Sequence, residues 1–529
     1  MLKIVSLNRV VSAATLGAFA LLLVMSAGAQ TRRPRPRTRP AAPKPTATPG
    51  PTAQPSNTPT SEALAIVNGQ TITAADIEAE VRAAISQDAD PYLRAFFEDS
   101  DKEIAEARRR ALDARINSLL IATEAKKQRK TVEEFRGLEI DSRITPPTEE
   151  EISAVYEANR RAFGDATMDG VRAQIITYLR TRRAEDLYAS LATRLRMTNL
   201  VTRGADVNAP NLQPSTTLTT VAGTPITAGP LNERMKAYAF KHRLRIYEIK
   251  KGIVDRKIND LLLIAEASKK NIAPEEIVRT EVTGQLKPAT EAEIRKFYEE
   301  NKARINGELA SSRAEIAKYL EDQELARLER VLSARVRAGA SFRIMLSEPE
   351  PPIQSISADD DPARGDQNAP VRVVEFTDFQ CSACGAMYPL LEEVLKSHEK
   401  NVHFVVRDFP LAMHPNARKA AEAAAAAHAQ GKFFDYIALL FKNQNALEVP
   451  SLKKYASDLG LDRKRFDMEL DNGVYAAEVQ HDVEEGEAYG IEGTPTIYIN
   501  GVMLREFTPE GIHAAINRAL SRKTQASRP

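Results

Sequence analysis

A pair of cysteines at a predicted strand-to-helix junction is the feature that most constrains this chain. The apolar run at 371–376 is typical of a buried strand, and apolar residues at helical spacing follow the pair. Cys381 and Cys384 stand between these two patterns and are the only cysteines in 529 residues. A helix N-terminus carries partial positive charge and free N–H groups, which stabilise a thiolate. The pattern predicts redox chemistry, with Cys381 as the nucleophile and Cys384 as the resolving thiol.

Two other uses of the cysteine pair remain as alternatives. A zinc site would need two further ligands, and the chain contains no other cysteine. A purely structural disulfide across so short a loop would remove little entropy from the unfolded state. We therefore expect no metal and no other cofactor.

Three separated motifs extend the pattern around the cysteines. They are EFTDFQCSAC at 375–384, FPLAMHP at 409–415 and GIEGTPTIYING at 490–501. In this order they resemble the DsbA-like thiol-disulfide oxidoreductases, over about residues 357–521. The resemblance implies an α/β thioredoxin-like fold with a helical insertion at 366–523, and the activity of a protein thiol-disulfide oxidoreductase.

The same resemblance suggests roles for three more residues. Thr494 and Pro495 correspond to the cis-proline loop that faces the cysteines and binds substrate; a trans proline in an ordinary turn is the alternative. Glu375 corresponds to an acidic residue beneath the active site that relays protons or tunes the thiol pKa values. A solvent-facing glutamate is the alternative for Glu375, and Asp378 could serve as the N-cap of the following helix.

A duplicated, mainly α-helical region precedes this domain. The pairs of matching blocks are 66–73 with 220–227, 112–125 with 254–267 and 148–159 with 290–301. Each copy predicts a short strand and turn, then amphipathic helices. One helix in each copy opens with a T-x-x-E capping box, at Thr148/Glu151 and Thr290/Glu293.

The duplicated pattern resembles the chaperone part of SurA-type folding factors. The connecting segments 131–147 and 273–289 leave no room for a peptidyl-prolyl isomerase domain, so we expect no such activity. The resemblance implies peptide binding by analogy of fold. The alternatives are a dimerisation platform or a spacer, because apolar residues at helical spacing are usually core.

The N-terminal residues predict export. Lys3 and Arg9 precede an apolar stretch of about sixteen residues that ends in small residues, as in a cleavable signal peptide. An uncleaved membrane anchor is the alternative. The predicted segments are a signal peptide at 1–29, a Pro/Arg-rich disordered linker at 30–61, SurA-like modules at 62–205 and 206–346, a linker at 347–365 and the DsbA-like domain at 366–523.

Together these patterns predict a periplasmic or otherwise extracytoplasmic thiol-disulfide oxidoreductase with a helical peptide-binding arm. Its expected partners are unfolded or folding exported polypeptides and, by family analogy, a membrane quinone-linked redox partner. The formal net charge of +1 gives no reason to expect nucleic acid. A holdase chaperone or assembly factor with a secondary redox pair is the alternative function. The direction of electron flow and the oligomeric state stay open.

Overall fold

The computed structural model describes residues 62–163, 167–302, 305 and 308–526. The predicted signal peptide at 1–29 and the linker at 30–61 lie outside these residues. Over the described ranges, no helix is both long enough and apolar enough to cross a membrane. The region before the C-terminal domain is mainly helical, as the sequence predicts.

The helical region contains the following elements in chain order. They are β1 (Ala63–Val67), β2 (Gln70–Thr73), α1 (Ala74–Ser86), α2 (Leu93–Glu98), α3 (Ser100–Lys127), α4 (Val132–Glu139), α5 (Glu149–Ala158), α6 (Arg160–Phe163), α7 (Met168–Thr198), β3 (Val201–Arg203), β4 (Thr217–Val221), β5 (Thr224–Thr227), α8 (Ala228–Lys270), α9 (Pro274–Val278), α10 (Glu291–Asn301), α11 (Leu309–Arg337) and β6 (Phe342–Ile344). Both predicted capping boxes are confirmed at the starts of α5 and α10.

The chain divides into two compact units. Of the described residues, one unit combines those up to Phe97 with those in Leu244–Glu348, and the other combines those in Glu98–Arg243 with those from Pro349 onward. In the first unit, the β1–β2 hairpin and α1 share a buried core with part of α8 and with α9 and α11. In the second unit, the β4–β5 hairpin shares a buried core with α3, α4 and α7.

The hairpins of the two sequence copies are therefore exchanged. β1 pairs with β2 and with β6, which follows the last helix of the second copy. β4 pairs with β5 and with β3, which follows the last helix of the first copy. The segments predicted as modules, 62–205 and 206–346, each supply the hairpin for the other's three-stranded sheet.

A repeated polar contact supports the duplication. The last helix of each copy carries an arginine that binds an Asp and an Asn, four residues apart, on the long helix of the same copy. The residues are Arg196 with Asp113 and Asn117, and Arg337 with Asp255 and Asn259. The two Nε–Oδ1 distances to asparagine are 2.8 and 2.7 Å, so the two copies pack their helices in the same way.

The C-terminal domain has the elements expected of a thioredoxin-like fold. They are β7 (Ala363–Arg364), β8 (Val371–Thr377), α12 (Ser382–Ser397), β9 (Val402–Asp408), α13 (Ala417–His428), α14 (Phe433–Lys442), α15 (Val449–Asp458), α16 (Arg463–Asp471), α17 (Ala476–Tyr489), β10 (Thr496–Ile499), β11 (Val502–Met503) and α18 (Pro509–Ala526). The helices α13–α17 form the predicted insertion between β9 and β10.

These strands form one sheet in the order β11-β10-β8-β9-β7. β8 and β9 pair in parallel, and the other neighbours are antiparallel. Both faces of β8 are covered: Val371 and Val373 pack in one core, and Val374 and Phe376 pack in another. Burial on both faces explains why apolar residues of β8 occupy both faces instead of following a strict alternation.

The structure differs from the sequence interpretation in the predicted linker at 347–365. Ile356 is buried in the domain core, and β7 within this segment pairs with β9. Asp361 forms an ion pair with the guanidinium of Arg407, which is fully buried and also binds Asp482. A buried guanidinium must be paired to offset its desolvation, so an acidic segment that looks solvated in sequence is held on the domain.

The exchange of hairpins can be tested by crosslinking the full chain with Cys381 and Cys384 both changed to serine. Ile66 of β1 lies opposite Arg343 of β6, so the pair Ile66→Cys and Arg343→Cys should form an intramolecular disulfide. The control is Ile66→Cys with Thr202→Cys, because Thr202 holds the same register position in β3. We expect oxidation, read by mass after proteolysis, to crosslink the first pair only; crosslinking of the control pair alone would contradict the exchange.

Candidate active site

The sheet and α12 place Cys381 at a helix N-terminus. β8 ends at Thr377, and Cys381 is the N-cap residue of α12, with an extended backbone conformation (φ −71°, ψ 121°). Cys384 lies in the first turn of the helix and is fully buried, whereas 8% of Cys381 is exposed. The more accessible sulfur is therefore that of Cys381, in agreement with its predicted role as nucleophile.

The buried carboxylate of Asp378 organises the turn before the cysteines. It accepts hydrogen bonds from the N–H groups of Gln380 (2.7 Å) and Cys381 (3.2 Å). It is also bonded to the N–H of Leu411 (2.8 Å) and to Nδ1 of His414 (2.7 Å). Asp378 is not the N-cap of α12, because the helix begins three residues later than that role requires; it fixes the turn and the loop beside it instead.

Hydrogen bonds around the two sulfurs shift their pKa values in opposite directions. The pKa of Cys381 is lowered to about 5, first by the hydrogen bond from the Cys384 thiol and then by the backbone N–H of Cys384, the Thr494 side chain and the backbone N–H of Ala383. The pKa of Cys384 is raised because its thiol donates to Cys381 and because it is buried. The shared proton therefore stays on Cys384, and Cys381 is the thiolate at neutral pH.

The predicted substrate loop faces Cys381. The peptide bond between Thr494 and Pro495 is cis, as predicted. The Cys381 thiol lies 3.5 Å from the carbonyl oxygen of Thr494, and the Thr494 side chain lowers the pKa of both sulfurs. The fold thus brings together residues 113 positions apart in the chain.

Glu375 is buried beneath this site, which excludes the solvent-facing alternative. Only 3% of Glu375 is exposed, and burial, together with the charge of Glu392, raises its pKa to about 8. Thr377 lies on the same face of β8, and its buried hydroxyl lowers the pKa values of Glu375 and Cys384, although it forms no hydrogen bond of ordinary geometry with either. A buried carboxyl group with a raised pKa therefore lies on the same face of β8 as a hydroxyl that influences Cys384.

Two residues that contact the turn before Cys381 were not assigned to the site from the sequence. Gln444 donates from its side-chain amide to the carbonyl oxygens of Phe379 (3.0 Å) and Cys381 (2.8 Å). His414 binds Asp378, although its position in the motif at 409–415 gives no sign of that contact. Both lie more than thirty residues from their partners, where no local spacing signals a contact. Within the described residues, no group of three or more His, Cys, Asp or Glu side chains is placed to hold a metal ion.

Helices of the second unit hold the segment that leads into the cis-proline loop. The contacts are Arg115 with Glu484 (2.8 Å), Arg234 with the carbonyl oxygen of Glu487 (3.0 Å) and Lys241 with Glu492 (2.9 Å). Glu492 is only two residues before Thr494. Exposed ion pairs contribute little stability, so their importance here is positional: they place α3 and α8 next to the cis-proline loop.

Comparison with protein families agrees with this fold. Residues 357–518 match the family model described as Thioredoxin. The C-terminal part of the chain is therefore a thioredoxin-like domain. The start of the match at residue 357 also includes β7, which the sequence interpretation assigned to a linker.

Curated relatives share only part of their length with this chain. The Na(+)/H(+) antiporter NhaA 3 of Salinispora tropica is 36% identical over 203 residues, which are 38% of this chain and 30% of the antiporter. NhaA 1 of Mycobacterium sp. (strain KMS) is 36% identical over 173 residues, 31% of this chain and 28% of the antiporter. The chain thus spans less than a third of the length of these relatives. Most of each antiporter has no counterpart in the matched region.

Solved structures are similar over about the same share of the chain. Oxidised BdbD from Bacillus subtilis is 25% identical with a TM-score of 0.29, covering 30% of this chain and 93% of that protein. The α-DsbA1 protein of Wolbachia pipientis is 16% identical with a TM-score of 0.30, covering 32% of this chain and 95% of that protein.

The lowered pKa of Cys381 predicts how its alkylation depends on pH. In the reduced chain, the rate of reaction of Cys381 with iodoacetamide should rise through pH about 5 and then level off. The variant Cys384→Ala loses the largest stabilising contact, so the midpoint should move to higher pH. The chain unfolded in guanidinium is the control, and its alkylation midpoint should lie at pH ~8.5. A native midpoint equal to that of the unfolded chain would refute the assignment of Cys381 as a stabilised thiolate.

Burial of Glu375 predicts that the domain loses stability as pH rises. The folded chain binds this proton more tightly than the unfolded chain, whose pKa is near 4.5, so the stabilisation is complete below that pH and is lost as pH rises through about 8. In a Cys381→Ser/Cys384→Ser background, Glu375→Gln should remove a pH dependence on the order of a few kcal/mol, measured by denaturant unfolding. The exposed Glu393→Gln is the matched control; equal slopes for both variants would contradict burial of a titrating carboxyl.

Proposed function

We propose that this chain is an exported thiol-disulfide oxidoreductase that acts on the cysteines of folding polypeptides. The observation that carries the proposal is the asymmetry of the two thiols at the start of α12. Cys381 is the accessible sulfur with a lowered pKa, and Cys384 is buried with a raised pKa. A structural disulfide needs no such difference, whereas exchange needs one good nucleophile and leaving group.

In the oxidising direction, a client thiolate attacks Sγ of Cys381 in the Cys381–Cys384 disulfide. The intramolecular S–S bond breaks, a mixed disulfide forms at Cys381, and Cys384 leaves as a thiolate that takes up a proton. A second client thiolate then attacks the client sulfur and releases Cys381 as a thiolate. The client gains one disulfide and two electrons pass to the pair, which a membrane quinone-linked partner would reoxidise. The reducing or isomerising direction runs through the same mixed disulfide.

The neighbouring residues have distinct roles in this reaction. The carbonyl group of Thr494, next to Pro495, would pair with an extended client segment beside the mixed disulfide. Glu375, buried on β8 with a pKa of about 8, would act as the local donor and acceptor of the Cys384 proton. Because Cys384 has no direct access to solvent, an internal proton donor removes the need to expose it.

The helical region would hold unfolded clients near the thiols. Its helices α3 and α8 contact the segment that precedes the cis-proline loop, so a polypeptide bound to this arm would be at high local concentration beside Cys381. This role, the SurA-like character of the modules and a periplasmic location after signal-peptide cleavage are parts of the proposal.

The test is oxidation of a reduced, unfolded multi-cysteine protein by the purified full chain. Wild type should exchange with glutathione and oxidise the client; Cys381→Ala should fall to the uncatalysed rate, because the attacked sulfur is gone. In a buffer that contains oxidised glutathione, the Cys381 thiolate of Cys384→Ala should displace one glutathione thiolate, and a client thiolate should then displace the second. The resulting mixed disulfide between Cys381 and the client should accumulate, because Cys384 is absent, and non-reducing electrophoresis detects it.

Suppression of client aggregation by the same variants separates the two candidate functions. If wild type never exchanges with glutathione, the oxidoreductase proposal fails. If Cys381→Ala then suppresses aggregation as well as wild type does, the holdase function replaces it. A loss of oxidation with retained aggregation suppression supports a redox enzyme with a client-binding arm.

A further inference from the structure

The side chain of Gln444 reaches the thiol turn from the inserted helices. Gln444 lies just after α14, and its amide nitrogen donates to the carbonyl oxygens of Phe379 (3.0 Å) and Cys381 (2.8 Å). Both acceptors are in the connection from β8 to α12. One amide group therefore binds two main-chain carbonyl oxygens, one on each side of Gln380, the residue that precedes Cys381.

Gly385 provides the space for this amide. A Cβ atom at position 385 would lie 2.2 Å from Oε1 and 2.6 Å from Cδ of Gln444, distances that atoms do not adopt without movement. The N–H of Gly385 also donates to the carbonyl oxygen of Cys381 (3.0 Å). That oxygen thus accepts two hydrogen bonds, one from the helix and one from Gln444.

We propose that Gln444 is a positioning residue for the Cys381 thiolate and that Gly385 is the small residue that admits it. This inference rests on the proposed redox function. Fixing the Cys381 carbonyl fixes the orientation of the peptide group that follows it, and with it the first turn of α12. That turn carries the N–H groups of Ala383 and Cys384, which stabilise the thiolate.

The contact should favour the reduced state over the disulfide. A thiolate needs N–H groups aimed at the sulfur, whereas a disulfide sulfur carries no charge for them to stabilise. Stabilising the thiolate makes the dithiol form more stable and the disulfide more oxidising. Gln444 therefore adjusts the reduction potential without touching the reacting sulfurs.

The test compares Gln444→Leu with Asn443→Ala in the full chain. Leucine keeps the size of the side chain and removes the donor, so we expect the Cys381 pKa to rise by about one unit. The equilibrium with glutathione should then shift about tenfold towards the disulfide, or ~30 mV to a more negative potential. Asn443 is the matched control: its amide donates to the Leu439 carbonyl oxygen of α14 (2.8 Å) rather than to the thiol turn, so neither quantity should change.

The variant Gly385→Ala tests the same contact from the other side. The added methyl group must displace the Gln444 amide, so this variant should shift the pKa and the potential in the same direction. The double variant should shift them no further than Gln444→Leu alone, because both changes break one contact. If Gln444→Leu does not fold, Gly385→Ala together with the alkylation profile decides the question.

The outcomes separate this inference from the proposed function. A wild-type chain that exchanges with glutathione, together with folded variants whose thiol pKa and potential are unchanged, overturns the role of Gln444 and leaves the function standing. A wild-type chain that does not exchange overturns the function. In that case a raised Cys381 pKa in Gln444→Leu, measured by alkylation, still supports the positioning of the thiolate, and an unchanged pKa overturns it too.

Discussion

The buried carboxylate of Asp378 is the interaction on which the arrangement of this site depends. A carboxylate that is removed from water is costly unless hydrogen bonds replace its hydration. Here the turn before Cys381 and the loop at 409–415 both bind the same carboxylate. The two segments are therefore held together through Asp378. Cys381 is therefore positioned through its own backbone N–H, which donates to this carboxylate. The loss of one carboxylate would release both segments.

The chemistry of the site follows from how unequally water reaches its ionisable groups. Cys381 retains slight exposure and receives several hydrogen bonds, whereas Cys384 and Glu375 are buried and prefer to keep their protons. Groups that keep their protons, Cys384 and Glu375, thus lie in the same small domain as the Cys381 thiolate. Helices α3 and α8 contact the segment that precedes the cis-proline loop, so part of the helical region lies beside the thiol site.

The exchange of hairpins shows a limit of reading a duplicated sequence. The two copies carry hairpins with the same pattern of apolar residues. That pattern alone does not show which set of helices each hairpin packs against. The repeated contacts of Arg196 and Arg337 stay within their own copies, so the helices follow the order of the sequence while the strands do not. The choice depends on the chain connections and on the continuous helix α8, which only the folded structure shows.

The sequence by itself determined the features that depend on neighbouring residues. These are the strand–CxxC–helix junction, the capping boxes and the matching blocks of the duplication. Their signals are periodicity and capping, both of which act over a few residues. The tertiary structure decided the burial of Glu375, the contacts of Asp378 and Gln444, and the packing of the acidic segment on Arg407. Those contacts join residues that lie far apart in the chain, and a side chain's partner at such a separation is set by packing, which leaves no local pattern to read.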